Sequence, residues 1–279
     1  MIQSALIQKL PSNTLGRDFV IGDLHGCFDL LEALMTSVDF DTEKDRLFSV
    51  GDLIDRGRYS LICLQLINQP WFYAVKGNHE AMMLDYFMMY QITGDIDSEF
   101  DDSIGYIENG GDWVKKHYHA NTGNMSQDFN QGLVLAASLP LLIVVGDGEQ
   151  RFHVVHSELL RPDFSSREIP VWLDSDIDGW ITNNAIPDQT KERFYWGRTL
   201  MEGSLDPVLQ VQAGLSNTFC GHTIGKNIRQ KLSHICLDTG AYSSDKKGIY
   251  SLTIYDIKAK RWVSTSYYHS HLTYGDMGI

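Results

Sequence analysis

Five short apolar runs in this chain each lead into a residue type able to bind a metal, and that recurrence restricts the fold more than any other feature. Asp18 to Ile21 runs into Gly22-Asp23-Leu24-His25-Gly26, and Leu47 to Val50 into Gly51-Asp52-Leu53-Ile54-Asp55-Arg56-Gly57. Phe72 to Val75 precedes Gly77-Asn78-His79-Glu80, Phe152 to Val155 precedes His156, and Thr218 to Cys220 precedes Gly221-His222-Thr223. Each run reads as a buried strand. In open α/β sheets functional groups sit in the loops just past strand ends. Asp23, His25, Asp52, Asn78, His156 and His222 are therefore expected on one rim.

Asp29 to Val38 places Leu30, Leu31, Ala33, Leu34 and Val38 at helical spacing, and Ser60 to Asn68 repeats the pattern before Pro70. The first third thus reads β-α-β-α-β, which implies a parallel sheet with right-handed crossovers and sets the first three motifs side by side. Glu80 to Tyr90 is apolar around most of its circumference, the mark of a buried helix. Gly94 to Asp102 is acidic and turn-like, and Ser126 to Ser138 is helical again, so residues 80–138 read as a helical insertion. Leu141 to Val145, Arg151 to Val155, Thr218 to Cys220, His234 to Leu237, Ile249 to Tyr255 and Trp262 to Tyr268 read as strands of a second sheet. Residues 157–214, irregular and rich in Asp, Trp and Pro, are expected to form long loops that set specificity.

With 279 residues, 43% of them hydrophobic, the chain can bury a core large enough for one domain over residues 1–279. A net charge of -13 argues against a surface that tracks phosphate backbones, so no nucleic-acid partner is expected. The start of the chain has no basic-then-apolar signal, and the longest apolar stretch, Leu139 to Val145, contains Pro140 and is too short to span a bilayer. The expectation is a soluble, cytoplasmic protein without a membrane partner. Cys27, Cys63, Cys220 and Cys236 form no CxxC pair and are read as buried free thiols. No feature specifies an oligomeric state.

Asp, His and Asn donors suit borderline-hard divalent metals such as manganese, iron(II) or zinc; a soft site would show thiolates and a calcium cage mostly carboxylates. Six donors exceed what one ion needs, and one carboxylate can bridge two ions. A pair of adjacent ions can clamp the oxygens of an in-line phosphoryl displacement. The donor set alone therefore points to hydrolysis of a phosphate ester.

GDLHG, GDLIDRG and GNHE, followed by later single histidines, resemble the metallophosphoesterase superfamily, and within it the phosphoprotein phosphatases of the bacterial and lambda-phage type. The resemblance is strongest over residues 17–82, extends through Asn109-Gly110-Gly111-Asp112-Trp113, and resumes at Trp196-Gly197-Arg198, Gly221-His222-Thr223 and Leu237-Asp238-Thr239-Gly240. It implies a four-layer α/β architecture, with two packed mixed β-sheets flanked by helices and a dinuclear metal site at the strand ends. It further implies that Asp23 and His25 hold one metal, that Asp52 bridges, and that Asn78, His156 and His222 hold the other. His79 would be the general acid, Asp55 its orienting partner, and Arg56 and Arg198 the phosphate grips, since a guanidinium makes the forked bonds that Lys cannot. The implied cofactor is a pair of divalent ions, manganese before iron or zinc. The implied substrate is a phosphorylated protein or peptide carrying phosphoserine or phosphothreonine, with phosphotyrosine and aryl phosphates also accepted. Attack by a metal-bridging hydroxide would leave no phosphoenzyme. The chain departs from the family pattern where Ser157 and Glu158, rather than two glycines, follow His156.

A diadenosine polyphosphate hydrolase of the same superfamily is the nearest alternative. A nuclease is disfavoured by the acidic charge, and a non-catalytic scaffold by retention of every donor. Asp174, Asp176, Asp178 and Gly179 imitate the start of a calcium loop, but Ala185 stands where the closing carboxylate belongs, so a solvated acidic turn is expected there and at Asp95 to Asp102. His117 and His119 read as an exposed helix face, His269 and His271 as tail residues, and His153 as facing away from His156.

Overall fold

The computed structural model describes residues 5–93, 105–119, 121–163, 169–203, 209–244, 249–268 and 272–277. The first part of the chain forms β1 (Ile7–Leu10), β2 (Asp18–Ile21), α1 (Phe28–Ser37), β3 (Arg46–Ser49), α2 (Ser60–Gln65), β4 (Phe72–Ala74) and α3 (Asn78–Thr93). A hairpin of β5 (Tyr118–His119) and β6 (Asn124–Met125) and the helix α4 (Gln127–Ser138) follow. Next come β7 (Leu142–Val145), β8 (Phe152–Val155), α5 (Asp174–Asn183), α6 (Asp188–Trp196), α7 (Thr199–Glu202) and β9 (Asn217–Cys220). The last elements are β10 (Arg229–Lys231), β11 (His234–Cys236), β12 (Leu252–Asp256), β13 (Arg261–Thr265) and β14 (Thr273–Asp276).

Two six-stranded sheets result, ordered β14-β13-β12-β2-β3-β4 and β1-β7-β8-β9-β11-β10. In the first, β2, β3 and β4 run parallel with Ile21 opposite Ser49 and Ser49 opposite Ala74, so the three motif loops leave from one line. In the second, β8, β9 and β11 run parallel, and the His156 and His222 loops leave from neighbouring strand ends. Strand alternation assigns each side chain to a layer. Val20, Phe48, Ile143, Val145, Val154 and Phe219 meet between the sheets. Phe19, Ile21, Leu47 and Phe72 face the other way, toward Leu31, Leu34, Met83 and Phe129 of the helices. Val144, Val155 and Cys220 face Ile177, Trp180 and Phe194. The result is helix, sheet, sheet, helix. Each fully buried large apolar side chain stabilises this stack by about 1.5–3 kcal/mol, which holds the rim loops against a rigid base.

Several expectations need correction. β12 and β13 do not join the second sheet: β12 pairs antiparallel with β2, Ile254 opposite Ile21, and carries β13 and β14 with it. Hydrophobic pattern marks a strand but not its partner; here Ile254 packs with the helix-side core and Tyr255 with the inter-sheet core, a split that the first sheet satisfies. Residues 80–138 are not wholly helical, since the β5–β6 hairpin lies within them. Residues 157–214 carry α5, α6 and α7 rather than loops alone, because Ile177, Trp180, Phe194 and Leu200 dock on the second sheet. Asp174, Asp176 and Asp178 lie in α5 instead of forming a turn, with Asp174 and Asp176 in its first turn, where acids are favoured. Asp174 accepts from the Ser216 N–H (2.9 Å), Asp176 pairs with Arg161 (2.7 Å) and Asp178 with Arg151 (2.8 Å). His117 ends a short 3-10 segment, half-buried and stacked on Phe129, and His119 lies exposed in β5, so the two share no helix face. Gly94 to Asp102, His269 and His271 lie outside the described residues. All four cysteines are buried and none is in a disulfide. Among the described residues no helix is long and apolar enough to cross a membrane.

Candidate functional site

The loops at the rim hold their polar side chains by unusual backbone. His25 (φ 41°), Asp52 (φ 49°), Asp55 (φ 72°), Arg56 (φ 68°) and His222 (φ 67°) all occupy the left-handed region that residues with a Cβ avoid. Strain of this kind persists only where surrounding structure enforces it, and it gathers at functional sites. Two motif glycines are required by close approach: a Cβ at Gly77 would strike Asp52 Oδ1, and one at Gly221 would strike Asp23 Oδ1.

Asp52 is the hub. Its carboxylate lies 3.6 Å from His25 Nε2, 3.9 Å from His79 Nε2 and 3.5 Å from His156 Nε2, and it accepts the His79 backbone N–H (3.0 Å) at the start of α3. Asn78 Oδ1 lies 2.8 Å from His156 Nε2 and 2.9 Å from His222 Nδ1. Two donor triads share Asp52: His25-Asp52-His79 and Asp52-His156-His222, with the atoms of each within 4.8 Å of one another. Ligands about 2.0–2.2 Å from one ion stand roughly 3–3.6 Å apart, so these spacings fit a coordination shell. Asp23 sits outside both triads, where its carboxylate accepts the His222 N–H at 3.0 Å.

Hydrogen bonding on the far side of two rings fixes which nitrogen faces inward. The Nδ1–H groups of His25 and His156 donate to the carbonyls of Ile54 and Val50, each at 2.8 Å, which turns their Nε2 lone pairs toward Asp52. The His156 lone pair then faces an amide oxygen, and His222 Nε2 is buried without a partner. Facing acceptors and an orphaned imidazole nitrogen are satisfied by a cation, so these residues fit a metal pair.

Burial would raise Asp52, but the imidazoles of His156, His79, His25 and His222 outweigh it and hold the carboxyl well below its usual range. Burial, reinforced by His79 and Arg56, drives His25 well below its usual value; burial, with His156 and Arg198, lowers His222 to about 2. His156 is lowered by burial too. These rings are neutral and able to ligate. His79 goes the other way: burial lowers it, yet Asp52 and Asp55 prevail and raise it. Its Nδ1–H donates to Asp55 Oδ2 (2.6 Å), while Asp55 Oδ1 accepts from Trp113 Nε1 (2.7 Å) and Tyr106 Oη (3.2 Å). Burial raises Asp23, with Asp238 and Asp52 adding to it, and lifts Asp238 to about 6.

Arg56, Arg198, Asn109, Trp196, Met82 and Ile224 wall a cavity of about 150 Å³ above His25, Asp52, His79 and His222. Arg56 lies over the Tyr242 ring, 4.4 Å from its centroid, and reaches His25 Nε2 at 2.6 Å. Arg198 donates to the His222 carbonyl (3.1 Å). The structure thus brings together all ten residues singled out in the sequence, with Asp23 and Arg198 at the margin.

Sequence reasoning assigned no role to four groups. Glu80 accepts the N–H groups of Asp52 (3.0 Å), Leu53 (2.8 Å) and Gly77 (2.8 Å), tying the second motif to the third; its place inside Gly-Asn-His-Glu was the available signal. Trp113 belongs to a recognised motif, Asp238 follows β11, and Tyr106 left no signal in the sequence.

The calcineurin-like phosphoesterase family model matches residues 19–225. Serine/threonine-protein phosphatase 2 of Salmonella typhimurium is 29% identical over 234 residues, 84% of this chain and 92% of that protein. The symmetrical bis(5'-nucleosyl)-tetraphosphatase of Actinobacillus succinogenes is 47% identical over 68 residues, 24% of this chain and 25% of that one. A solved serine/threonine phosphatase from Saccharomyces cerevisiae shares the fold with TM-score 0.54 at 18% identity, covering 98% of this chain and 84% of the other.

Proposed function

Because the chain belongs to the calcineurin-like phosphoesterase family, we propose that it is a metal-dependent phosphoprotein phosphatase that hydrolyses phosphoserine and phosphothreonine monoesters. The observation that carries this reading is the buried His79–Asp55 pair, set beside the Asp52 donor cluster and beneath two guanidinium groups. An alkoxide is a poor leaving group and needs a proton, and a histidine whose proton is retained by neighbouring carboxylates supplies one near neutral pH.

Asp23, His25 and Asp52 would hold one divalent ion, and Asp52, Asn78, His156 and His222 the other. When bound, such ions supply Lewis acidity and make water a nucleophile at neutral pH; manganese suits these oxygen and nitrogen donors, as do iron and zinc. Arg56 and Arg198 bind and orient the phosphoryl oxygens by charged, forked hydrogen bonds. His79 holds a proton at Nε2 for the departing oxygen. Asp55 accepts three hydrogen bonds, and the one from Nδ1–H holds the His79 ring so that it carries its positive charge without turning. Met82, Trp196 and Ile224 add apolar walls to the basin.

Protein rather than dinucleotide substrates are supported by similarity to a serine/threonine phosphatase along most of both chains, against a quarter of each for the dinucleotide hydrolase. A cavity of about 150 Å³ is also smaller than the roughly 300–1,000 Å³ of pockets that engulf whole ligands. It suits a phosphoryl group presented at the tip of a larger molecule. The test is metal-dependent turnover of a phosphoserine peptide, a phosphotyrosine peptide and diadenosine tetraphosphate. Preference for the phosphoserine peptide is expected; a large preference for the dinucleotide overturns the reading.

A further inference from the structure

Directly after His156, the side chains of Ser157 and Glu158 act on the turn that carries Arg198. Glu158 is 1% exposed, and a buried carboxylate persists only with partners. Its two oxygens divide between the two sides of one turn. Oε1 pairs with Arg193 Nη1 at 2.9 Å, on the last stretch of α6; Oε2 accepts the Leu200 N–H at 2.9 Å, in the first turn of α7. Between them, Gly197 lies so close to the Glu158 side chain that any Cβ there would overlap it. Ser157 Oγ donates to the Gly197 carbonyl. One carboxylate and one hydroxyl therefore clamp residues 193–200 from both flanks.

Trp196 and Arg198 are the residues inside that clamp that line the cavity, and Arg198 is the charged one, donating to the His222 carbonyl. Ser157 and Glu158 extend from the strand end that also delivers His156. We propose that Ser157 and Glu158 form a clasp that positions the Arg198 guanidinium for the phosphoryl group, with Glu158 as the positioning residue. The clasp links the His156 loop to the anion grip, so that neither shifts without the other. This rests on the assignment of Arg198 to phosphate binding.

The consequence is a coupling. If Glu158 acts through Arg198, its loss matters only while Arg198 is present, the signature that a double-mutant cycle isolates. The enzyme reconstituted with manganese is compared with Glu158→Ala, Glu158→Gln, Ser157→Ala, Arg198→Ala and the Glu158→Ala/Arg198→Ala double variant. The readouts are KM for a phosphoserine peptide, the inhibition constant of inorganic phosphate, metal content and Tm. In the wild-type background Glu158→Ala should raise KM and the phosphate constant by about 10–100-fold, the scale expected when a binding group is displaced by about 1 Å, with metal content unchanged. In the Arg198→Ala background the same substitution should change both by less than about 2-fold. Glu158→Gln, which keeps an acceptor for the Leu200 N–H, should recover part of the loss, and Ser157→Ala should weaken phosphate binding more mildly. These two variants carry the comparison if Glu158→Ala fails to fold. Equal fold-losses in both backgrounds, or a lowered Tm with the phosphate constant untouched, would overturn the clasp and leave the phosphatase reading standing. No effect of Arg198→Ala on phosphate inhibition would remove the grip itself and the clasp with it.

Discussion

Asp55→Asn tests the general-acid role proposed for His79. Asp55 is fully buried, and its carboxylate takes three donors: the His79 Nδ1–H at 2.6 Å on one oxygen, and Trp113 and Tyr106 at 2.7 and 3.2 Å on the other. An asparagine can keep its oxygen toward Trp113 and Tyr106 while its amide NH2 turns to His79 Nδ1. That nitrogen must then accept rather than donate, so the ring is fixed as a neutral imidazole with its single proton on Nε2. The carboxylate that stabilised the charged ring is gone, and a neutral imidazole gives up its proton far less readily. A general acid contributes about 10²- to 10⁴-fold, which at 1.36 kcal/mol per tenfold is about 2.7–5.4 kcal/mol of barrier. The whole of this should be lost on a phosphoserine peptide. On p-nitrophenyl phosphate, whose phenolate leaves with little help, the loss should be about tenfold or less. His79→Asn should match Asp55→Asn, and the double variant should be no worse than either, because residues that act as a unit are not additive. The assay is kcat/KM on both substrates at matched manganese, with circular dichroism to check the fold. Equal losses on the two substrates would refute the acid role of the pair.

Asp52→Asn at the hub should cut bound metal and rate together, by at least about 10-fold in affinity; full loading in elemental measurements would contradict the shared-ligand role. Acid should unfold the protein partly through buried neutral histidines away from the cavity. Burial lowers His153 to about 3, with Arg151 adding to it, and lowers His234 to about 4, against about 6.5 when unfolded. The unfolded chain binds these protons first, so the stability they confer is complete above about pH 6.5 and falls as pH drops toward 4, by up to about 1.4 kcal/mol per unit for each ring. His234→Gln should flatten denaturant stability measured from pH 7 to 5; curves parallel to wild type would count against it.

The parallel β2-β3-β4 core was legible because consecutive strands joined by helices leave one topology, and because Gly-Asp-x-His, Gly-Asp-x-x-Asp-Arg-Gly and Gly-Asn-His-Glu each follow a strand end directly. His153 and His156 are separated by strand parity: His153 faces Thr218 and Arg151, whereas His156 faces Asp52. The placement of β12 against β2 was not legible, since pairing across more than two hundred residues leaves no local mark in Ile254 or Tyr255. Tyr106 and Trp113 arrive from a segment without periodicity and act by donating to a carboxylate that the motifs reveal only as present. Glu80 works through backbone N–H groups, which every residue has. Ser157 and Glu158 were visible as a departure, but what they grip depends on a turn forty residues away.

In the proposed reading the Asp52-centred donors hold two divalent ions on which phosphomonoester hydrolysis depends. Elemental measurement of metal per chain, taken alongside phosphoserine-peptide turnover during chelation and manganese readdition, tests it most directly. Two ions per chain at saturation, with activity recovering as they bind, is the expected result; turnover that persists in the stripped protein, or saturation at fewer than two ions, would contradict it.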